Sequence, residues 1–265
     1  MRIERHFLRK EAIDGFVPSL TLYLLDKVEN GPLRPMVIIF PGGAYINKAE
    51  NWEGERVAIE YNRAGFNAAV VDYSVSPIHH PQPLLDAMAA IRFVRENAIS
   101  FGSDPNKTIV LGFSAGGHLV ASESCYYKEI GEAVKRVLEK NSDLFERYHD
   151  FSPKPDKVCL AYPVINCIKE HHEDSYLNLS GGGDALRDKL SIDLHITPDY
   201  PKCFVWSCDD DDLVPSSNAK RMYAALQQAG VESMLQIYPT GNHGVGVGYG
   251  TSAEGWIDTM VAYMR

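Results

Sequence analysis

Thr108-Ile109-Val110-Leu111-Gly112-Phe113-Ser114-Ala115-Gly116-Gly117-His118-Leu119 is the stretch whose reading decides the fold. Its first four residues form a short apolar run, as expected of a strand buried on both faces. Gly117 to Ser122 reads as a helix. Between them stands G-x-S-x-G, which in a strand-to-helix setting is the signature of a nucleophile elbow. So tight a turn leaves no room for bulk beside the serine, which accounts for glycines at 112 and 116. The strain lifts the Ser114 hydroxyl above the end of the sheet. It also turns the N–H of Ala115 toward any oxygen that gains charge there. The pentapeptide alone is a common pattern, and its place between strand and helix gives it weight.

Outward from the elbow, the chain alternates apolar runs with helical patterns. Met36–Phe40, Ala68–Val71, Val158–Ala161 and Cys203–Trp206 are continuously apolar, as buried parallel strands are. Ser19–Leu24 partly alternates and fits an edge strand, and Ser233–Tyr238 closes the series. Helical patterns span Glu53–Ala64, Pro83–Asn97, Ser217–Ala229 and Gly255–Met264. This rhythm predicts βαβ units and a mostly parallel sheet flanked by helices on both faces. Two segments break it and are candidates for a small cap on a single domain of residues 1–265. Residues 126–149 are charged and read as a surface helix or two. Residues 166–199 are long and polar and hold Gly181-Gly182-Gly183.

The chain has 265 residues, 45% hydrophobic and 23% charged, enough for one well-buried α/β domain. A net charge of −9 argues against nucleic acid and anionic membranes as partners. No run approaches 18 apolar residues, and the N-terminal residues lack the apolar core of a secretory signal. Five scattered cysteines without a C-x-x-C fit reduced thiols in the cytoplasm. No cysteine–histidine spacing supports zinc. The expectation is therefore a cytoplasmic protein with no metal and no organic cofactor, whose partner is a small molecule. The oligomeric state is left open, a homodimer included.

A nucleophilic serine needs a base and a carboxylate to orient that base. On a strand–elbow–helix fold the order is Ser, then Asp or Glu, then His. Asp209-Asp210-Asp211-Asp212 follows the strand at Cys203–Trp206, so the acid is one of these four. Calcium fails on spacing, because Lys220 stands where the twelfth position of the loop requires Glu. His243, between Gly241-Asn242 and Gly244 after the last strand, is placed to reach back as the base. His118 competes, but it opens the elbow helix and packs beneath it. Phe40-Pro41-Gly42-Gly43-Ala44-Tyr45 follows a buried strand and suits an oxyanion loop. Ala115 and Gly43 are the expected N–H donors, with Gly42 or Ala44 as additional ones. Tyr45, Trp52, Tyr162 and Val164 are the candidate lining of a small acyl pocket.

From Met36 to His243 the chain resembles the α/β-hydrolases, and within them small carboxylesterases of the hormone-sensitive-lipase-like and bacterial acetyl-xylan and feruloyl esterase group. The resemblance rests on Pro41-Gly42-Gly43-Ala44-Tyr45, Val71-Asp72-Tyr73, the elbow through Leu119, Asp211-Asp212-Leu213-Val214-Pro215 and Gly241-Asn242-His243-Gly244. It implies the α/β-hydrolase fold and a Ser114, Asp211, His243 triad, because Asp211 alone fits the family's D-x-x-V-P. Pro41 and Ala44 depart from the usual H-G-G-G, a variant familiar in the sugar-ester branch. Ser74 stands where the family's D-Y-R has arginine. The resemblance also implies hydrolysis of short acyl esters, acetyl esters of sugars among them. An arylformamidase or a small peptidase would use the same triad, and a non-catalytic binding relative is the remaining reading.

Overall fold

The computed structural model describes residues 1–138 and 152–265. Its strands are β1 (Arg2–Phe7), β2 (Ser19–Leu24), β3 (Arg34–Phe40), β4 (Asn67–Asp72), β5 (Ser103–Phe113), β6 (Lys157–Ala161), β7 (Lys202–Cys208) and β8 (Ser233–Tyr238). They form one sheet in the order β1-β2-β4-β3-β5-β6-β7-β8. β1 pairs with β2, and β2 with β4, antiparallel, and every other pairing is parallel. The helices are α1 (Arg56–Arg63), α2 (Gln82–Phe101), α3 (Ser114–Leu138), α4 (Glu173–Ser180), α5 (Ser217–Gln228) and α6 (Trp256–Met264). A π-type turn, Glu50–Glu55, leads into α1.

The twofold repeat of β3 explains the two cores. Met36, Ile38 and Phe40 face one side, where Ile91 of α2, Leu119 of α3 and Met222 of α5 pack. Val37 and Ile39 face the other, against Tyr61 of α1 and Trp256 and Met260 of α6. These five of the seven β3 side chains are fully buried, which is why Met36–Phe40 carries no polar alternation. Gly102, left-handed at φ +77°, closes α2 by donating to the Ala98 and Ile99 carbonyls.

Two expectations are corrected. Ser19–Leu24 is not an edge strand, because β1 lies outside it. β1 reads Arg-Ile-Glu-Arg-His-Phe, and its exposed Ile3 and Phe7 carry none of the inward apolar pattern that marks a strand. The elbow helix does not stop before residue 126; it runs unbroken to Leu138. The rest of that candidate cap segment, 139–149, lies outside the described residues. The other segment, 166–199, holds α4 and a short 3₁₀ turn, Ile192–Leu194. It is tied down near the C-terminal ends of the strands, where Asn178 donates to the Ala44 carbonyl (2.9 Å) and His80 N–H to Leu179 (2.7 Å).

The serine that replaces arginine in the Asp72-Tyr73-Ser74 motif donates through both N–H and hydroxyl to Asp86. Arg9, from the N-terminal segment, pairs with that buried carboxylate at 3.2 Å.

The elbow meets β3 with no space to spare. A Cβ on Gly116 would overlap the carbonyl oxygens of Phe40 and Pro41, and one on Gly112 the backbone of Gly116. Gly116→Ala should therefore destabilise the fold by about 1–3 kcal/mol, the usual range for overpacking. An unchanged urea midpoint would contradict this packing.

Candidate active site

Each candidate side chain leaves the C-terminal end of a parallel strand, the end at which open α/β sheets build their sites. Ser114 follows β5 directly, at φ +51°. A non-glycine residue in that region is strained, and the turn enforces it. Among the described residues, five of the eight non-glycine residues with positive φ lie at or around this point: Ala44, Tyr45, Ser114, Tyr162 and Asn242. Strain of this kind gathers where a fold over-determines the positions of working groups.

Asp211 follows β7. Its side chain is fully buried, and Oδ1 accepts the N–H groups of Leu213 (3.0 Å) and Val214 (2.9 Å). The buried Val214 turns the loop so that this carboxylate points inward. Its three neighbours do other work or none. Asp209 bonds Ser216 and Lys220, Asp210 accepts the N–H groups of Gly241 and Asn242, and Asp212 is exposed. Asp210 thereby fixes the loop after β8 that carries His243.

His243 bridges the other two. Its Nδ1 lies 2.7 Å from Asp211 Oδ2, and its Nε2 lies 2.9 Å from Ser114 Oγ. A carboxylate only accepts, so Nδ1 carries the proton and the bare Nε2 faces the serine hydroxyl. Trp52 Nε1 donates to the Gly244 carbonyl at 2.6 Å and closes the other side of the loop.

The loop after β3 lies against the elbow: a Cβ on Gly42 would stand 2.9 Å from Ser114 Cβ. Among the described residues, the N–H groups of Gly43, Ala44 and Ala115 meet no protein acceptor. Gly42 is a correction. Its N–H is already donated, at 2.6 Å, to the buried carboxylate of Glu53, and so is not free for a substrate oxygen.

The candidate pocket residues also need correction. Tyr162 is fully buried at φ +36°, its hydroxyl donating to Glu53 Oε1 (2.8 Å) and accepting the N–H of Gly246 (3.0 Å). Its ring meets the His243 ring edge-on at 5.0 Å, so it supports the histidine from beneath. Val164 is buried and holds the elbow through its backbone, N–H to the Ser114 carbonyl at 3.1 Å. Tyr45 is buried too, its hydroxyl 2.9 Å from His118 Nδ1. Of the four, only Trp52 remains open to solvent, at 43%.

Glu53 is the residue that sequence reasoning missed. It stands at the start of a helical pattern, where acidic residues usually face water. Here the π-type turn and Gly54 bring the segment close to β4, where a Cβ on Gly54 would collide with Val70. Glu53 is turned inward, 3% exposed. Burial raises its pKa, opposed by its bonds to Tyr162 and Gly42 and by His243.

The pair His118 and Tyr45 ties the segment 166–199 to the loop after β3. His118 Nε2 lies 2.8 Å from the Leu190 carbonyl, so Nε2 donates and Nδ1 accepts from Tyr45. His172, at the N-cap of α4, has its pKa lowered by burial and also by the proximity of His243. Among the described residues, no group of three or more His, Cys, Asp or Glu could hold a metal ion, and no helix is long and apolar enough to cross a membrane.

A strained serine after β5, a histidine after β8, a buried aspartate after β7 and a mostly parallel eight-stranded sheet define an α/β-hydrolase. The BD-FAE family model matches residues 20–226, and the chain belongs to that family. The endo-1,4-beta-xylanase B of Butyrivibrio fibrisolvens is 33% identical over 93% of this chain, and the acetylxylan esterase of Xylanibacter ruminicola 30% over 82%. This chain spans only 37% and 42% of those two proteins. The crystal structure of an acetyl ester-xyloside bifunctional hydrolase from Caldicellulosiruptor lactoaceticus superposes with a TM-score of 0.83 at 34% identity, covering 97% of this chain and 96% of that one. The carboxylesterase Cest-2923 of Lactobacillus plantarum shares the fold, with a TM-score of 0.79 at 24% identity over 100% of this chain and 97% of that one.

Burial lowers the His118 pKa from 6.5 to about 4. The folded protein thus holds neutral a ring that the unfolded chain protonates below pH 6.5. The unfolded state binds the extra proton, so this contribution to stability is complete above pH 6.5 and is lost as pH falls toward 4. Unfolding free energies of wild type and His118→Gln, measured across that interval, should diverge in slope by about 3 kcal/mol in total. Equal slopes would contradict the assignment.

Proposed function

We propose that this chain is a serine carboxylesterase in which Ser114, His243 and Asp211 form the catalytic triad. The observation that carries the reading is the unbroken chain from Ser114 Oγ to His243 Nε2 at 2.9 Å and from His243 Nδ1 to Asp211 at 2.7 Å. Ser114 attacks the ester carbonyl while His243 takes its proton. The tetrahedral oxyanion is held by the N–H groups of Gly43 and Ala115, with Ala44 beside them. His243 then passes the proton to the leaving alcohol, and an acyl-enzyme remains on Ser114. Water, deprotonated by His243, releases the acid. Asp211 keeps the imidazole in the required tautomer and stabilises its cation.

The proposed substrates are short acyl esters, and among them acetyl esters of sugars. Two kinds of observation support this. Relatives of the chain are named acetylxylan esterase and acetyl ester-xyloside hydrolase. Of the four residues expected to line an acyl pocket, Tyr45, Tyr162 and Val164 are buried, which leaves only Trp52 to meet an acyl chain. A long acyl chain needs an apolar trough, at about 0.8 kcal/mol per buried CH₂. Glycosidase chemistry requires two carboxylates facing one bond. Here Asp211 is committed to His243 and Glu53 to Gly42 and Tyr162.

Two measurements test the reading. Asp211→Asn should lower kcat by about 10²- to 10⁴-fold, whereas Asp212→Asn should leave it nearly unchanged. The reverse order would move the acid by one residue. Across a series of acyl lengths, kcat/KM should be highest for acetyl to butyryl esters and fall for octanoyl and longer, with acetylated xylo-oligosaccharides accepted. A rise from butyryl to decanoyl would overturn the substrate class, and preferential cleavage of formamides or aminoacyl amides would move the reaction to amide hydrolysis.

A further inference from the structure

We infer that Glu53 is a positioning residue for catalysis, a buried carboxylate that locks the oxyanion loop and the His243 loop into one geometry. The inference rests on the esterase reading and adds a residue that the triad does not include.

An ionised carboxylate removed from water is costly unless it is paired or fully hydrogen-bonded. Glu53 is 3% exposed, and among the described residues no Lys or Arg forms an ion pair with it. Both its oxygens instead accept hydrogen bonds. Oε2 accepts from the Gly42 N–H at 2.6 Å, a backbone group that can only donate. Oε1 accepts from the Tyr162 hydroxyl at 2.8 Å, whose oxygen already receives the Gly246 N–H at 3.0 Å. The donors therefore fit the ionised form, since a protonated carboxyl would waste an acceptor on one side.

The contacts of this one group reach both halves of the site. Toward β3, its grip on the Gly42 N–H fixes the Pro41–Gly42 peptide plane, and so anchors the loop one peptide before the Gly43 N–H. Toward β8, it orients Tyr162, which receives Gly246 and supports the His243 ring at 5.0 Å. Gly42, Glu53, Tyr162 and Gly246 form a continuous line between the two loops. The Glu53 carboxylate bonds Gly42 and Tyr162 rather than Ser114, so it acts through the two loops and through its negative charge near His243.

Such a role has a kinetic signature. Errors in the oxyanion donors and in the base are felt in the transition state more than in ester binding. Glu53→Gln retains the volume but presents an NH₂ where an acceptor is needed. Tyr162→Phe keeps the ring and removes only the hydroxyl link. Each should lower kcat about 10- to 100-fold, as small misplacements of reacting groups do, with KM changing less than about threefold. Turnover is to be normalised to the number of serines labelled when a fluorophosphonate reaction is run to completion. A merely structural role would lower the labelled fraction and the melting temperature but leave turnover per labelled serine as in wild type. The double variant should lose much less than the product of the two single losses, because both cut the same line.

If Glu53→Gln does not fold, Tyr162→Phe decides alone, and wild-type turnover per labelled serine in it overturns the inference. So does a loss confined to KM in either variant. Failure of the esterase reading looks different: wild type itself would then show no labelled serine, or Ser114→Ala would retain turnover.

Discussion

The close approach of the β5–α3 turn to the end of β3 is the constraint on which the rest of the site depends. Gly116 lies so near the Phe40 and Pro41 carbonyls that neither segment can shift without the other. The turn can be that tight only because Ser114 accepts φ +51° and Gly112 and Gly116 lack side chains. The same contact that strains the serine brings the loop of Gly42 to Ala44 beside it. The proposed nucleophile and oxyanion donors are thus placed by one packing decision, and the cost of the strain is borne by the two cores around β3 and β5.

On the far side of the serine, the histidine loop is fixed from several directions. Asp210 takes two of its N–H groups, Trp52 holds the Gly244 carbonyl, Tyr162 holds the Gly246 N–H and Trp256 donates to the Gly246 carbonyl at 2.9 Å. The four consecutive aspartates therefore divide their labour. Asp209 anchors α5 through Ser216 and Lys220, Asp210 shapes the loop and Asp211 orients the ring. Glu53 joins this histidine side to the oxyanion side from beneath. A flexible loop set into so many contacts becomes a rigid one, and rigidity is what a catalytic geometry needs.

What could be read in the sequence was whatever one residue type enforces by itself. The elbow was legible because a turn that tight demands glycine at 112 and 116. The continuous apolar runs gave the parallel strands, because burial on both faces leaves no room for alternation. β1 was not legible, since an edge strand with charged residues has no inward pattern to detect. α3 continues to Leu138 because Tyr126 to Leu138 holds no proline and tolerates its single Gly131; a change in charge density is not a change of backbone. Two of the misassigned residues share one cause. Tyr162 looked like pocket lining and Gly42 like a free donor, yet both are claimed by Glu53. Nothing in Asn51-Trp52-Glu53-Gly54 says that the acid turns inward, because that depends on Gly54 meeting Val70 across the sheet. The glycine beside an acid, straight after the oxyanion loop, was the one available hint.

The site works as proposed only if Ser114 is the nucleophile and His243 activates it. Intact-protein and peptide mass spectrometry after reaction with a fluorophosphonate tests this most directly. One adduct per chain, mapped to the peptide bearing Ser114 and formed at least about 10³-fold more slowly in His243→Ala, is the predicted result. An adduct on another residue, or equal labelling rates in wild type and His243→Ala, would contradict it.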